Sequence, residues 1–112
     1  TEDRKTAGFY RFLPNRPGDL AAGGRLQMLA VDGRPEFDTR RGQRVGRPLP
    51  CVWVEIDDPD PAAAATNSLA VYESGRARGA ATFARLEGCW YGDGFVYLNA
   101  TTGGDRSLGQ VW

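Results

Sequence analysis

The chain lacks histidine altogether and holds one methionine, two cysteines and no net charge over its 112 residues. Each scarcity excludes a class of function. Without imidazole there is no Ser-His-Asp triad, no H-E-x-x-H zinc site and no histidine general base. Chemistry must then run on carboxylates, arginine, thiols or metals with oxygen ligands. Fourteen basic and fourteen acidic residues cancel, leaving no overall field to steer polyanions. No stretch is apolar for long enough to span a bilayer, so no membrane partner is expected. The opening Thr1-Glu2-Asp3-Arg4-Lys5 is polar and charged and does not read as a signal peptide. Cys51 and Cys89 have no metal-ligand spacing; they read as one disulfide in an exporting context or as two buried free thiols.

What is abundant is glycine. Fifteen glycines, about double the usual ~7% share, fall at intervals with prolines between them. Gly supplies the positive φ of tight turns, so this spacing predicts short strands in succession and disfavours long helices. With 41% hydrophobic and 25% charged residues the composition is that of a folded domain.

Along the chain, residues 8–13 read as a strand stopped by Pro14, with a turn through Pro17-Gly18-Asp19. Gly23-Gly24 reads as another turn. Residues 25–31 alternate, with Leu26, Met28 and Ala30 on one face. Residues 34–50 read as a loop, and 51–56 as a β-branched, aromatic strand ended by Asp57-Asp58-Pro59-Asp60-Pro61. After the alanine connector 62–65 comes one short helix within 68–81, with Ser68 as its cap and Leu69, Tyr72 and Arg76 on one face. Residues 81–86 read as extended. Residues 89–91 and 95–98 form a hairpin around Gly92-Asp93-Gly94, and a Gly-rich loop at 101–104 leads to a last strand at 108–112.

The chain stops at Gln110-Val111-Trp112, inside an apolar aromatic strand, and its closing phrases weakly echo its opening ones. Repeated hairpins of this kind suggest blades whose sheets need neighbours to cover them. The expected fold is therefore all-β: an incomplete β-propeller segment of antiparallel blades, residues 1–112, cut at both ends, with one short helical insertion. Its partners would include the remaining blades, or another chain, to cover exposed sheet edges.

Among residues that could carry chemistry, Phe83-Ala84-Arg85-Leu86-Glu87-Gly88 stands out. The period of two puts Arg85 and Glu87 on one strand face, where they read either as an ion pair or as a site. In the second case Glu87 would hold a hard cation and Arg85 a phosphate oxygen. Gly88 would allow a close approach by another backbone or a ligand. Arginines crowd between 34 and 47. They read as a phosphate or nucleic-acid patch or, with no recognition helix or aromatic platform beside them, as a solvated loop paired with Glu36 and Asp38. No nucleic-acid partner is expected. Asp57-Asp58-Pro59-Asp60 lacks the Gly and Glu of an EF-hand loop and reads as a turn. Asn99-Ala100-Thr101 matches a short glycosylation pattern, and Gly103-Gly104-Asp105 continues into no P-loop.

The phrase 83–88, with Tyr97, Thr102-Gly103-Gly104 and Gly109-Gln110-Val111-Trp112, resembles the PhoX-type alkaline phosphatases. Gly8-Phe9-Tyr10-Arg11-Phe12, residues 25–29 and residues 53–61 extend the likeness in the same order over nearly the whole chain. The resemblance implies a β-propeller of exported bacterial phosphatases, periplasmic or secreted, that hydrolyse phosphomonoesters with calcium and iron. It implies that Glu87 is a metal ligand and Arg85 a phosphate contact, the mechanism combining metal activation of an oxygen nucleophile with charge stabilisation by the metals and Arg85. Glu2 and Asp3 match a phrase near the metal cluster without an assigned role. The family's cysteine iron ligand and its other glutamates are expected outside 1–112, and Cys89 is not matched to that ligand. The isolated chain is thus expected to be inactive. The alternative is a non-catalytic propeller that binds or scaffolds, since one fold hosts many functions.

Overall fold

The computed structural model describes residues 4–112. Its elements are six strands in two antiparallel three-stranded sheets, a 3-10 turn over Ala62–Ala65 and one α-helix. The first sheet has the order β1 (Tyr10–Arg16), β2 (Asp19–Val31), β3 (Cys51–Ile56), and the second β4 (Leu86–Gly92), β5 (Phe95–Ala100), β6 (Gln110–Val111). The helix α1 (Ala70–Ala77) packs on the first sheet beside β3. Neither sheet closes into a barrel.

Both hairpins form where the turn residues predict. Arg16 pairs with Asp19 across Pro17-Gly18, and Gly92 pairs with Phe95 across Asp93-Gly94. Asp93 at φ 51° and Gly94 at φ 83° make the two-residue turn whose twist matches its strands.

Elsewhere the chain departs from the expected boundaries. Pro14 does not stop β1; it pairs with Gly24 and the strand runs on to Arg16. β1 is an edge strand, so a residue without an N–H can sit in it facing outward. Gly23-Gly24 is no turn either, because β2 passes straight through it. A Cβ on Gly24 would collide with the Leu13 carbonyl and the Phe12 ring, so glycine serves a close approach between strands. The helix is shorter than expected and Ser68 does not cap it. Leu69 stands at the N-cap with no side-chain cap bond, and just ahead of it Asn67 accepts the Leu69 amide on its Oδ1 at 3.0 Å and donates from Nδ2 to Glu73 at 2.8 Å. Gly79, at φ 92°, ends the turn that follows. The last strand is only Gln110–Val111, since Leu108 is 83% exposed, although Trp112 exchanges both backbone hydrogen bonds with Leu98. Cys51 and Cys89 are free and exposed, not buried and not bridged.

The core has two parts, set by the alternation of β2. Met28 joins Ile56 and Ala80 under α1, with Leu26, Val54, Tyr10, Val71 and Tyr72 around them. Val31, with Leu29 packed against it, faces the opposite way, toward Ala81, Phe83, Leu86, Leu98 and Ala100. The apolar run 28–31 thus serves both faces of one strand.

The segment 80–85 ties the sheets together. It bridges Ala30, Asp38 and Ala7 in turn, and residues 80–84 are all buried. Its small side chains let three backbones approach: Ala81 donates to Leu29, Thr82 to Phe37 and Phe83 to Ala7, at 2.8–2.9 Å. Thr82 is further held by the Tyr72 hydroxyl at 2.6 Å and by Arg76 at 2.8 Å.

Burial, and then the neighbouring Tyr72 phenol, push the Tyr10 hydroxyl from 10.0 up to about 12. The fold favours the neutral phenol, so this contribution to stability is complete below the ordinary value and is lost as pH rises from 10.0 to about 12. Unfolding free energy measured across that window is expected to fall with pH, and to fall less steeply in Tyr10→Phe. Equal slopes in the two proteins would contradict the assignment.

Candidate functional site

Arg85 is not part of a strand. It precedes β4 at φ 45°, a left-handed conformation that costs a residue with a side chain of order 1 kcal/mol or more. Three backbone contacts hold it there: its amide donates to the Arg4 carbonyl at 2.7 Å, and its carbonyl accepts the Thr101 amide at 3.0 Å and the Thr101 hydroxyl at 3.3 Å. The expected alternation therefore does not bring Arg85 and Glu87 together, yet they meet. Arg85 Nη2 lies 3.2 Å from Glu87 Oε1, with each side chain 36% exposed. The strained φ re-aims the guanidinium, and a register shift between Leu86 and Cys89 turns Glu87 toward it.

Thr101, at the end of β5, fixes the pair by donating to Glu87 Oε1 at 2.9 Å. Gly88 does permit a close approach, and the approaching group is Asn99: a Cβ on Gly88 would run into Asn99 Oδ1. That oxygen is buried and has no hydrogen-bond partner among the described residues.

Arg85 opens onto a cavity of about 590 Å³ lined by Lys5, Asp38, Arg40, Arg41, Ala84, Arg85, Thr102 and Ser107. Four of these residues are cationic and one is acidic. Asp38 grips Arg40 with both oxygens, at 2.7 and 2.8 Å. That hydrogen bond holds the Asp38 carboxyl below its usual range and raises Arg40 further. Arg40 also donates to the Lys5 carbonyl at 3.3 Å and accepts the Gly104 amide at 2.8 Å. The loop expected to be solvated is thus half so: Asp38 pairs with Arg40, whereas Glu36 is taken by Arg76 of α1 at 3.2 Å. The sequence reading missed that Lys5, Arg40 and Arg41 converge on Arg85. The nearest signal for it was Thr102-Gly103-Gly104, whose loop reaches Arg40. A larger cavity, about 660 Å³ between residues 43–48 and β6, is lined by neither Arg85 nor Glu87.

Residues 1–111 match the family of the alkaline phosphatase PhoX. The chain belongs to the PhoX family. No curated protein and no solved structure matches it. PhoX phosphatases are metalloenzymes, so the donors matter. Among the described residues no three Asp, Glu or Cys side chains gather to hold a metal ion. Among the described residues, Glu87 has Arg85 and Thr101 against its carboxylate. In the 57–60 run, Asp57 pairs with Arg78 and Asp58 caps the Asp60 amide at 3.2 Å, as a turn would. Glu2 and Asp3 lie outside the described residues. The described part of this PhoX chain therefore does not by itself fit a calcium or iron centre. What it does fit is an anion, since the cavity beside Arg85 has more cationic than acidic walls.

Proposed function

We propose that this PhoX chain carries the phosphate-gripping part of a metal-dependent phosphatase that hydrolyses phosphomonoesters. Arg85 holds a phosphate oxygen and Glu87 serves as one protein ligand to the metals. The observation behind this reading is Arg85 itself, held at a left-handed φ on the wall of a cationic cavity in a chain of this family. Strain of that kind is kept where surrounding contacts over-determine it, and it clusters at functional sites. A guanidinium fork can bond two phosphate oxygens at once and stabilise charge that builds as the ester bond breaks.

In this reading the metals are calcium and iron, their remaining ligands come from segments outside 1–112, and the protein is periplasmic or secreted. The chain is then part of a β-propeller whose other blades cover its open faces. Both faces of the β4–β5 hairpin support that view: Trp90 and Phe95 on one side and Tyr91 and Val96 on the other are each at least half exposed, and Trp90 stacks on Tyr97 at 5.4 Å. The second reading, a propeller that binds without catalysing, is favoured by the lack of a metal-ligating trio among the described residues.

Hydrolysis of a generic phosphomonoester by the full-length protein, with calcium supplied, separates the two. The phosphatase reading expects activity in the full-length protein, none in the isolated 112 residues, and none in a folded Glu87→Ala variant. An inactive full-length protein, or a Glu87→Ala variant that matches it, favours the binding propeller.

A further inference from the structure

The cavity beside Arg85 is larger and more cationic than one phosphate group needs. Its four cations are not equally committed. Arg40 is bound to Asp38 by two hydrogen bonds, and Arg85 is paired with Glu87. Lys5 and Arg41 have no carboxylate partner among the described residues, and they line the same cavity. Like charges facing a common space repel one another, and an anion placed between them relieves that repulsion.

The walls are also set in place beforehand. Arg40 accepts the Gly104 amide at 2.8 Å, and the Gly42 amide donates to Asp105 at 2.7 Å, so the Arg40-Arg41 pair is clamped from both sides. The hydroxyl residues Thr102 and Ser107 complete the lining. At about 590 Å³ the space lies within the range of ordinary small-ligand pockets.

From this we infer that the site is selective for ligands with at least two phosphate groups, one held at Arg85 and a second held by Lys5 and Arg41. This deepens the phosphatase reading, on which it rests for the role of Arg85, by naming the substrate class. Asp38 ties up the Arg40 guanidinium with both its oxygens, which leaves the second phosphate to Lys5 and Arg41. The ligand is either a condensed phosphate chain or a molecule with two separate phosphate esters.

Calorimetric titration of the full-length protein with orthophosphate, tripolyphosphate and a hexose bisphosphate tests the inference without relying on turnover. At least one of the two polyanions is expected to bind about tenfold tighter than orthophosphate, or more. Which of them does so identifies the ligand's architecture. The preference should collapse in Arg41→Ala and in Lys5→Ala, persist in Arg41→Lys, and be untouched by Arg44→Ala, which lies on the same loop but outside this cavity. Arg41 is exposed, so its variants are expected to fold. Equal affinities for all three anions would overturn the inference, as would a preference that survives Arg41→Ala or that Arg44→Ala reduces equally. A failed hydrolysis assay alongside an intact binding preference would instead count against the phosphatase reading alone.

Discussion

Arg85→Ala is expected to lower kcat/KM for phosphomonoester hydrolysis by about 10²–10³-fold, the usual cost of deleting one preorganised donor that faces developing charge. The competing expectation is a loss of activity through unfolding, and the magnitudes decide between them. The pair with Glu87 is more than a third exposed on both sides, so its contribution to stability is only about 0.2–1 kcal/mol. The backbone of residue 85 is fixed by Arg4 and Thr101 through main-chain atoms, and these contacts survive a change of side chain. Folding should therefore change little while turnover falls steeply. Arg85→Lys keeps the charge but not the planar fork, and should recover only part of the loss. The measurement is steady-state kinetics beside thermal unfolding of the same samples. Unchanged kinetics in a folded Arg85→Ala protein would remove Arg85 from the site.

The largest effect on stability is expected at Met28. Its side chain is fully buried in the cluster beneath α1. Two glycines from distant parts of the chain make room for it: a Cβ on Gly8 would strike Met28 Cε, and a Cβ on Gly75 would strike Met28 Sδ and Ile56 Cδ1. With a sheet on one side and a helix on the other, the space left by Met28→Ala cannot easily collapse. The cost is then about 2–5 kcal/mol, against a total of about 5–15 kcal/mol for a domain of this kind. Met28→Leu conserves volume and should cost less than about 1.5 kcal/mol. Denaturant unfolding of the three proteins gives the comparison. A Met28→Ala protein as stable as the parent would mean that the cluster is not the support of the α1–sheet packing.

These two residues differ in how far the sequence announces them. Met28 sits in an alternating run, so its burial was legible, as were the strands on either side. Its fit between Gly8 and Gly75 was not, because neither glycine is near it in sequence. Arg85 was legible as chemistry through the phrase it shares with the PhoX family. Its geometry was not, because alternation assumes an unbroken strand, whereas positive φ at Arg85 and the register shift after Leu86 replace that rule. Gly23-Gly24 shows the same limit from the other side. A glycine pair signals freedom of the backbone, but whether that freedom serves a turn or a close strand contact depends on the partner strand.

Local rules travel with the residues that state them. The period of two in 25–31 and 51–56, the turn residues Pro17-Gly18 and Asp93-Gly94, and the want of histidine were decided by the sequence alone, because each depends only on neighbouring φ preferences, side-chain alternation or chemical inventory. The cationic cavity was decided by tertiary structure. Lys5, Arg40, Arg41 and Arg85 are brought together because the buried segment 80–85 pairs with Ala7 on one side and Asp38 on the other, and because the Gly104 amide reaches back to Arg40. Charges of one sign do not gather unaided; here long-range backbone hydrogen bonds hold them in one place against their mutual repulsion.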